Sequence, residues 1–217
     1  MRYETIRLLA EGNEELDNPR ATLLEVLKIV ESDLDVVPAS DHPLGFLHFE
    51  LSELAHVTSG GRLRLHVWDE ESPGPDELGL YHDHTWALRS LVLAGGFQDS
   101  VYSVAYNPAG STEEVMIQYG SEIHRSTNNR RADLELLEAR RVYAGARYAV
   151  EAGQVHSTAT LLRPTVSLVM TSPTASTTAR VFAPPGRFGG GPSVRPSVSP
   201  DEARARLARV LGTVPEE

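Results

Sequence analysis

The chain has no cysteine, so it can form no disulfide and no thiolate can serve as a metal ligand. It has almost no lysine either. Lys28 stands alone, and arginine supplies the rest of the 20 basic residues, a bias that points to a GC-rich bacterial genome. Acidic residues outnumber basic ones, 30 to 20, and a formal charge of −10 leaves no basic face of the kind a nucleic-acid partner needs. No apolar run approaches the roughly 20 residues of a membrane-spanning helix. The N-terminus, Met1-Arg-Tyr-Glu-Thr-Ile-Arg, lacks the apolar region of a secretion signal. The expectation is a cytoplasmic protein with neither a membrane nor a nucleic-acid partner.

What is present reads as a β protein with helical ends. At 217 residues and 41% hydrophobic, the chain suits one domain with extensions and can bury an ordinary core. Residues 1–17 are acidic and are expected to form an extended arm. Asn18-Pro19 then sets up a helix, Asn as the cap and Pro in the first turn. Leu23, Leu24, Val26, Leu27 and Val30 carry its apolar stripe to about Ser32, where it would pack on the outside of a barrel. From Gly45 the signals are β. Residues 45–51 form a short strand in which His48 is structural. Residues 62–68 alternate cleanly, with Arg62, Arg64, His66 and Trp68 on one face and Leu63, Leu65 and Val67 on the other. In a barrel that encloses a ligand the polar face can line the pocket. Residues 70–76, with Pro73-Gly74-Pro75, read as a loop, and 114–119 as a strand. Residues 121–133 read as an exposed polar loop with a solvated His124, and 134–144 and 148–170 as the remaining strands. Residues 171–198, with Gly189-Gly-Gly-Pro192, read as a linker, and Ser199-Pro-Asp-Glu202 as a capping box opening a helix to about Leu211. The expected organisation is therefore an N-terminal arm and helix (1–44), a barrel (45–172) and a tail with a short helix (173–217).

The chemistry concentrates in Gly79-Leu-Tyr-His-Asp-His-Thr-Trp-Ala-Leu-Arg-Ser-Leu-Val-Leu-Ala-Gly-Gly96. The run reads as a strand ending in a Gly95-Gly96 turn, with 97–106 as its hairpin partner. On a strand, His82 and His84 share a face and can reach one metal ion. A third candidate ligand, His156, lies in Gly145-Ala-Arg-Tyr-Ala-Val-Glu-Ala-Gly-Gln-Val-His156-Ser-Thr-Ala-Thr160. Together these stretches resemble the two signature motifs of the cupin superfamily, across residues 60–172. His82, His84 and Gly95 match the first motif, and Gly145, Gly153 and His156 the second. Leu88 or Arg89 stands where the family carries a glutamate ligand, and Glu151 and Thr160 replace a Pro and an Asn.

The resemblance implies an all-β, cupin-type antiparallel barrel of jelly-roll topology and a metal centre of His82, His84 and His156. Without the glutamate, that set is similar to the three-histidine centres of cysteine dioxygenase and related thiol dioxygenases. It implies Fe(II) first, with Mn, Ni, Co, Cu or Zn also suited to neutral imidazoles. The expected function is a non-haem iron dioxygenase taking a small organic anion and O2. The alternatives are a metal-dependent lyase, isomerase or epimerase, and a non-catalytic binding protein. Here the thiol dioxygenases' downstream Ser-x-His-x-Tyr relay is missing, so cysteine is not assigned as the substrate. Trp86 and Leu88 are candidates for the pocket wall, Trp86 equally for ordinary core packing. Arg64 is a candidate for substrate binding and catalysis, and Tyr102, which shares a face with Tyr106, for acid/base work. Sheet pairing common among cupins implies a homodimer.

Overall fold

The computed structural model describes residues 2–12, 16–72, 81–119, 123–174, 176–187 and 195–213, and the backbone of 191–193. Pro73-Gly74-Pro75, Gly79, Ser121 and Gly189-Gly190 lie outside these residues.

Two helices lead the chain. The segment expected as an extended arm instead contains α1 (Tyr3–Glu11). Ile6, Leu9 and Ala10 fall at helical spacing and are buried, which stabilises about two and a half turns that the acidic surroundings disguise. Gly12 ends it in the left-handed conformation, φ 83°, its N–H reaching the carbonyls of Leu8 and Leu9. α2 (Pro19–Ser32) begins as its sequence dictates: Asn18 Oδ1 accepts the Ala21 N–H at 3.0 Å. It buries Leu23, Val26, Leu27 and Val30 and leaves Leu24 half-buried.

The strands among the described residues are β1 (Ala39–His42), β2 (Phe46–Glu50), β3 (Arg62–Trp68), β4 (Tyr81–His82), β5 (Leu88–Tyr106), β6 (Thr112–Gln118), β7 (Ile123–Tyr143), β8 (Arg147–Val150), β9 (Val155–Thr171), β10 (Thr178–Ala183) and β11 (Gly191–Ser193). α3 (Pro200–Thr213) follows. The ring β9–β5–β7–β6–β10–β4 returns to β9 through antiparallel pairs and closes a barrel. β3, β2 and β1 extend the sheet from the C-terminal half of β9. The architecture is thus the antiparallel barrel flanked by helices that the cupin resemblance implied.

Three local expectations change. The Gly95-Gly96 pair does not close a hairpin. β5 runs through it as one long strand, and both halves pair with β9 across register shifts at these residues. Gly95 has φ 68°, and a Cβ there would stand 2.3 Å from the Pro164 carbonyl oxygen, so the bend needs glycine. Residues 123–133 are not a loop but the first half of β7, paired with β6. Their polarity reflects solvent exposure, and His124 is exposed as expected. The stretch read as a linker contains β10, an integral member of the ring, and β11.

The two faces of β3 show what the helices accomplish. Leu63, Leu65 and Val67 are fully buried in one apolar cluster with Leu23 and Leu27 of α2 and Leu207 of α3. The helical layer buries the strand's apolar face outside the barrel, which frees Arg64 and His66 to face inward. α3 is fastened by buried Arg206, which binds Asp41 at 2.6 Å and Asp69 at 3.3 Å, and by Arg209 on Asp69 at 2.8 Å.

Candidate metal centre

His82 ends β4 and is the registered partner of His156 on β9, so the two side chains leave the sheet on one side. His84 lies beyond the end of β4. The continuous strand expected through both histidines is therefore interrupted, and the pair converges by another device. Asp83 is gripped by Arg180 of β10: its carboxylate accepts the Arg180 backbone N–H and Nε, both at 2.6 Å. Arg180 also donates to the Gly153 carbonyl at 3.1 Å, and the Gly153 N–H donates to the His84 carbonyl at 2.9 Å. The backbone on both sides of His84 is thereby tied to the turn before β9.

One nitrogen from each of His82, His84 and His156 lies within 4.8 Å of the other two. His84 Nε2 and His156 Nε2 are 3.2 Å apart. Metal–nitrogen bonds of about 2.1 Å place neighbouring ligands about 3.0 Å apart at a right angle and about 3.4 Å apart at a tetrahedral angle. The observed separation falls between those limits. Burial, then the neighbouring His82 and His156, pushes His84 well below the ordinary imidazole range. The neutral imidazole that results is the form a metal would require.

His156 is oriented from behind. Its Nδ1 is 2.8 Å from Oδ1 of Asp99, a fully buried residue of β5. Arg140 of β7 donates Nε and Nη2 to the other carboxylate oxygen, at 3.0 and 2.8 Å. An ionised carboxylate only accepts, so His156 carries its proton on Nδ1 and turns the Nε2 lone pair to the centre.

The histidines sit in a cavity of about 180 Å³. Leu88 lines it and is buried, whereas Arg89 is exposed on the opposite face, so leucine takes the inward place. Trp86 also lines it and stacks on His84 at 5.4 Å and 22°. Arg64 lies over the Trp86 ring at 5.1 Å, its Nε 3.6 Å from Glu50. Burial, partly offset by Glu50, lowers the Arg64 guanidinium to about 10, still charged at neutral pH.

Tyr102 does not reach this cavity. Its β5 neighbour Val101 is registered with His156, while Tyr102 is registered with Val155 and so faces the other way. It packs edge-on against Tyr81 at 5.0 Å, with its hydroxyl 3.4 Å from Ser157 Oγ. Tyr106 likewise donates to Glu114 at 2.5 Å, away from the centre. Sequence reasoning missed Asp99, Asp83 with Arg180, and Arg195, which lines the cavity from the segment before α3. For Asp99 a signal exists: strand alternation puts it on the same face as the apolar Phe97 and Val101. Arg195 has none.

Comparison with protein-family models finds no match, and comparison with curated proteins finds none. Among solved structures, the chain is similar to an oxalate decarboxylase variant from Bacillus subtilis at 11% identity and a TM-score of 0.38, covering 66% of this chain and 29% of that one. It is similar to an oxalate decarboxylase from Lactobacillus farciminis at 14% identity and a TM-score of 0.36, covering 64% and 32%. A structure of oxalate oxidase matches at 16% identity and a TM-score of 0.39, covering 79% and 75%. The chain therefore spans less than a third of the length of the two decarboxylases.

Proposed function

We propose that this protein is a metal-dependent enzyme of the cupin type and, within that class, a non-haem Fe(II) dioxygenase acting on a small organic anion. The observation that carries the reading is the donor set: three imidazole nitrogens within 4.8 Å of one another in a cavity, with no carboxylate joining the group among the described residues. Asp83 is committed to Arg180, and Leu88 occupies the inward place of a missing acid. A divalent ion held by His82, His84 and His156 would keep its full charge, attract an anionic donor and, as Fe(II), activate O2.

The chain's own residues do the rest. Asp99 keeps His156 in the tautomer that offers Nε2. The Asp83–Arg180 clamp holds His84 in place without a strand. Trp86 and Leu88 wall the centre with apolar surface and exclude water from one side, and Arg64 offers a charge to a bound anion. Insertion of both oxygen atoms draws all the electrons from the substrate, so no external reductant is required. Mn, Ni, Co, Cu and Zn suit the same imidazoles.

The test is oxygen uptake by Fe(II)-loaded and Zn(II)-loaded protein, screened against thiols, diketones and amino acids. Uptake with Fe(II) alone is expected. Turnover with Zn(II) and no oxygen consumption would replace the oxygenase with a metal-dependent lyase or isomerase.

A further inference from the structure

Among the described residues, the cavity lining carries more positive charge than it balances. Arg64 of β3, Arg125 of β7 and Arg195 all line it. The carboxylate among its lining residues, Asp83, belongs to Arg180. Arg64 has Glu50 at 3.6 Å, but Glu50 also holds Arg62 at 3.3 Å. Nε of Arg125 is buried with no hydrogen-bond partner. Arg195, half-buried, has no carboxylate at ion-pairing distance among the described residues, and the one opposite influence on it is the Tyr119 phenol.

Arg195 is held there by the fold. The Asp41 N–H donates to the Pro196 carbonyl and the Val198 N–H to the Ala39 carbonyl, both at 3.0 Å, so residues 196–198 run along β1 as an added edge. α3, fastened through Arg206, fixes the other end. A guanidinium drawn partly out of water with no carboxylate beside it is unfavourable unless something anionic meets it. Besides Arg64, the titratable groups near it, His48 and Tyr119, are neutral. Burial, then Arg64 and Arg195, pushes His48 down to about 3, and its Nε2 is buried without a hydrogen-bond partner. Burial also raises the Tyr119 phenol, which keeps its proton.

Trp86 joins this cationic end to the histidines: its ring stacks on His84 at 5.4 Å and lies 5.1 Å from the Arg64 guanidinium. We infer that the cavity takes a small organic acid with two anionic ends, one donor at the histidine centre and a carboxylate clamped beyond Trp86 by Arg64 and Arg195, with Arg195 determining specificity. The first anion rests on the metal-centre reading, and the clamp stands without it.

The experiment is calorimetric titration of the full chain, metal-free and Zn(II)-loaded, with malonate, succinate and glutarate, against acetate and neutral succinamide. In metal-free protein the carboxylates bind and succinamide does not. Arg195→Met weakens them by about tenfold or more, and Arg195→Lys recovers part of the loss. In loaded protein the best diacid gains at least about tenfold over acetate. Arg64→Met gives the same readout should Arg195→Met fail to fold. Diacid binding indifferent to Arg195, or succinamide binding as well as succinate, would overturn the inference. A chain that binds no metal but still needs Arg195 for succinate loses the enzyme reading and keeps the clamp. One that binds metal normally, with succinate indifferent to Arg195, loses the clamp alone.

Discussion

Replacing Asp99 by asparagine removes one charge from behind the metal centre while preserving shape. The parent carboxylate accepts from His156 Nδ1 on one oxygen and from Arg140 on the other, and Asp99 is fully buried. An amide cannot serve both donors. With its oxygen toward Nδ1–H, its NH2 meets the Arg140 guanidinium, and with the reverse orientation His156 loses the acceptor that fixes its tautomer. Loss of such an outer partner lowers metal affinity about 10- to 100-fold, or about 1.4–2.7 kcal/mol. The effect on folding is smaller than the 3–5 kcal/mol typical of a broken, fully buried pair, because Arg140 is 30% exposed and keeps its bond to the Ala149 carbonyl; about 1–2 kcal/mol is expected. The assay is competition for Zn(II) against a fluorescent chelator, alongside a urea midpoint. A double-mutant cycle with Arg140→Met isolates the coupling, which should come mostly from the metal affinity. Zn(II) binding within about twofold of the parent, in a folded Asp99→Asn protein, would refute the claim that Asp99 orients a ligand.

Leu88→Glu should place a carboxylate on the inward face beside the histidines; metal affinity should hold or rise while turnover falls, and unchanged turnover would show that Leu88 is ordinary core. Stability of the metal-free protein should fall as pH drops from about 6.5 towards 3, because buried His48 binds its proton only near 3 when folded but near 6.5 when unfolded, about 1.4 kcal/mol per pH unit. Burial lowers His42, His66 and His84 in the same direction, so urea midpoints should show a steeper total slope, from which His48→Gln removes about 1.4 kcal/mol per pH unit; a slope unchanged in the variant contradicts the assignment. Arg206→Met should cost about 3 kcal/mol by leaving Asp41 and Asp69 short of their counter-charge, read as a lowered urea midpoint, and a loss under about 1 kcal/mol would show that apolar contacts and Arg209 hold α3 without the Arg206 pairs.

Sequence periodicity reached those parts of the fold whose signals are local. α2 carries its own cap and stripe, and β3 its own alternation. The three histidines stood out because their spacing is written in short segments. The polar face of β3 could be foreseen as a pocket lining but not decided, since the choice depended on a helical layer built from α1, α2 and α3. The bend of β5 at Gly95 was mistaken for a hairpin because a Gly-Gly pair signals a change of direction, not whether the strand resumes. β7 was lost where its residues face solvent and show no apolar period. Tyr102 was misplaced because a face is set by register against β9. Arg195 was invisible because long-range hydrogen bonds to β1, not local pattern, carry it into the cavity.

The central claim is that His82, His84 and His156 together hold one divalent ion. It is tested most directly by elemental analysis of protein purified without a chelating tag, for the parent and for His82→Ala, His84→Ala and His156→Ala, with far-UV circular dichroism as the check on folding. The account predicts about one ion per chain in the parent and a loss of about tenfold or more in each variant, with the β signature intact. Full occupancy in folded His156→Ala would contradict it.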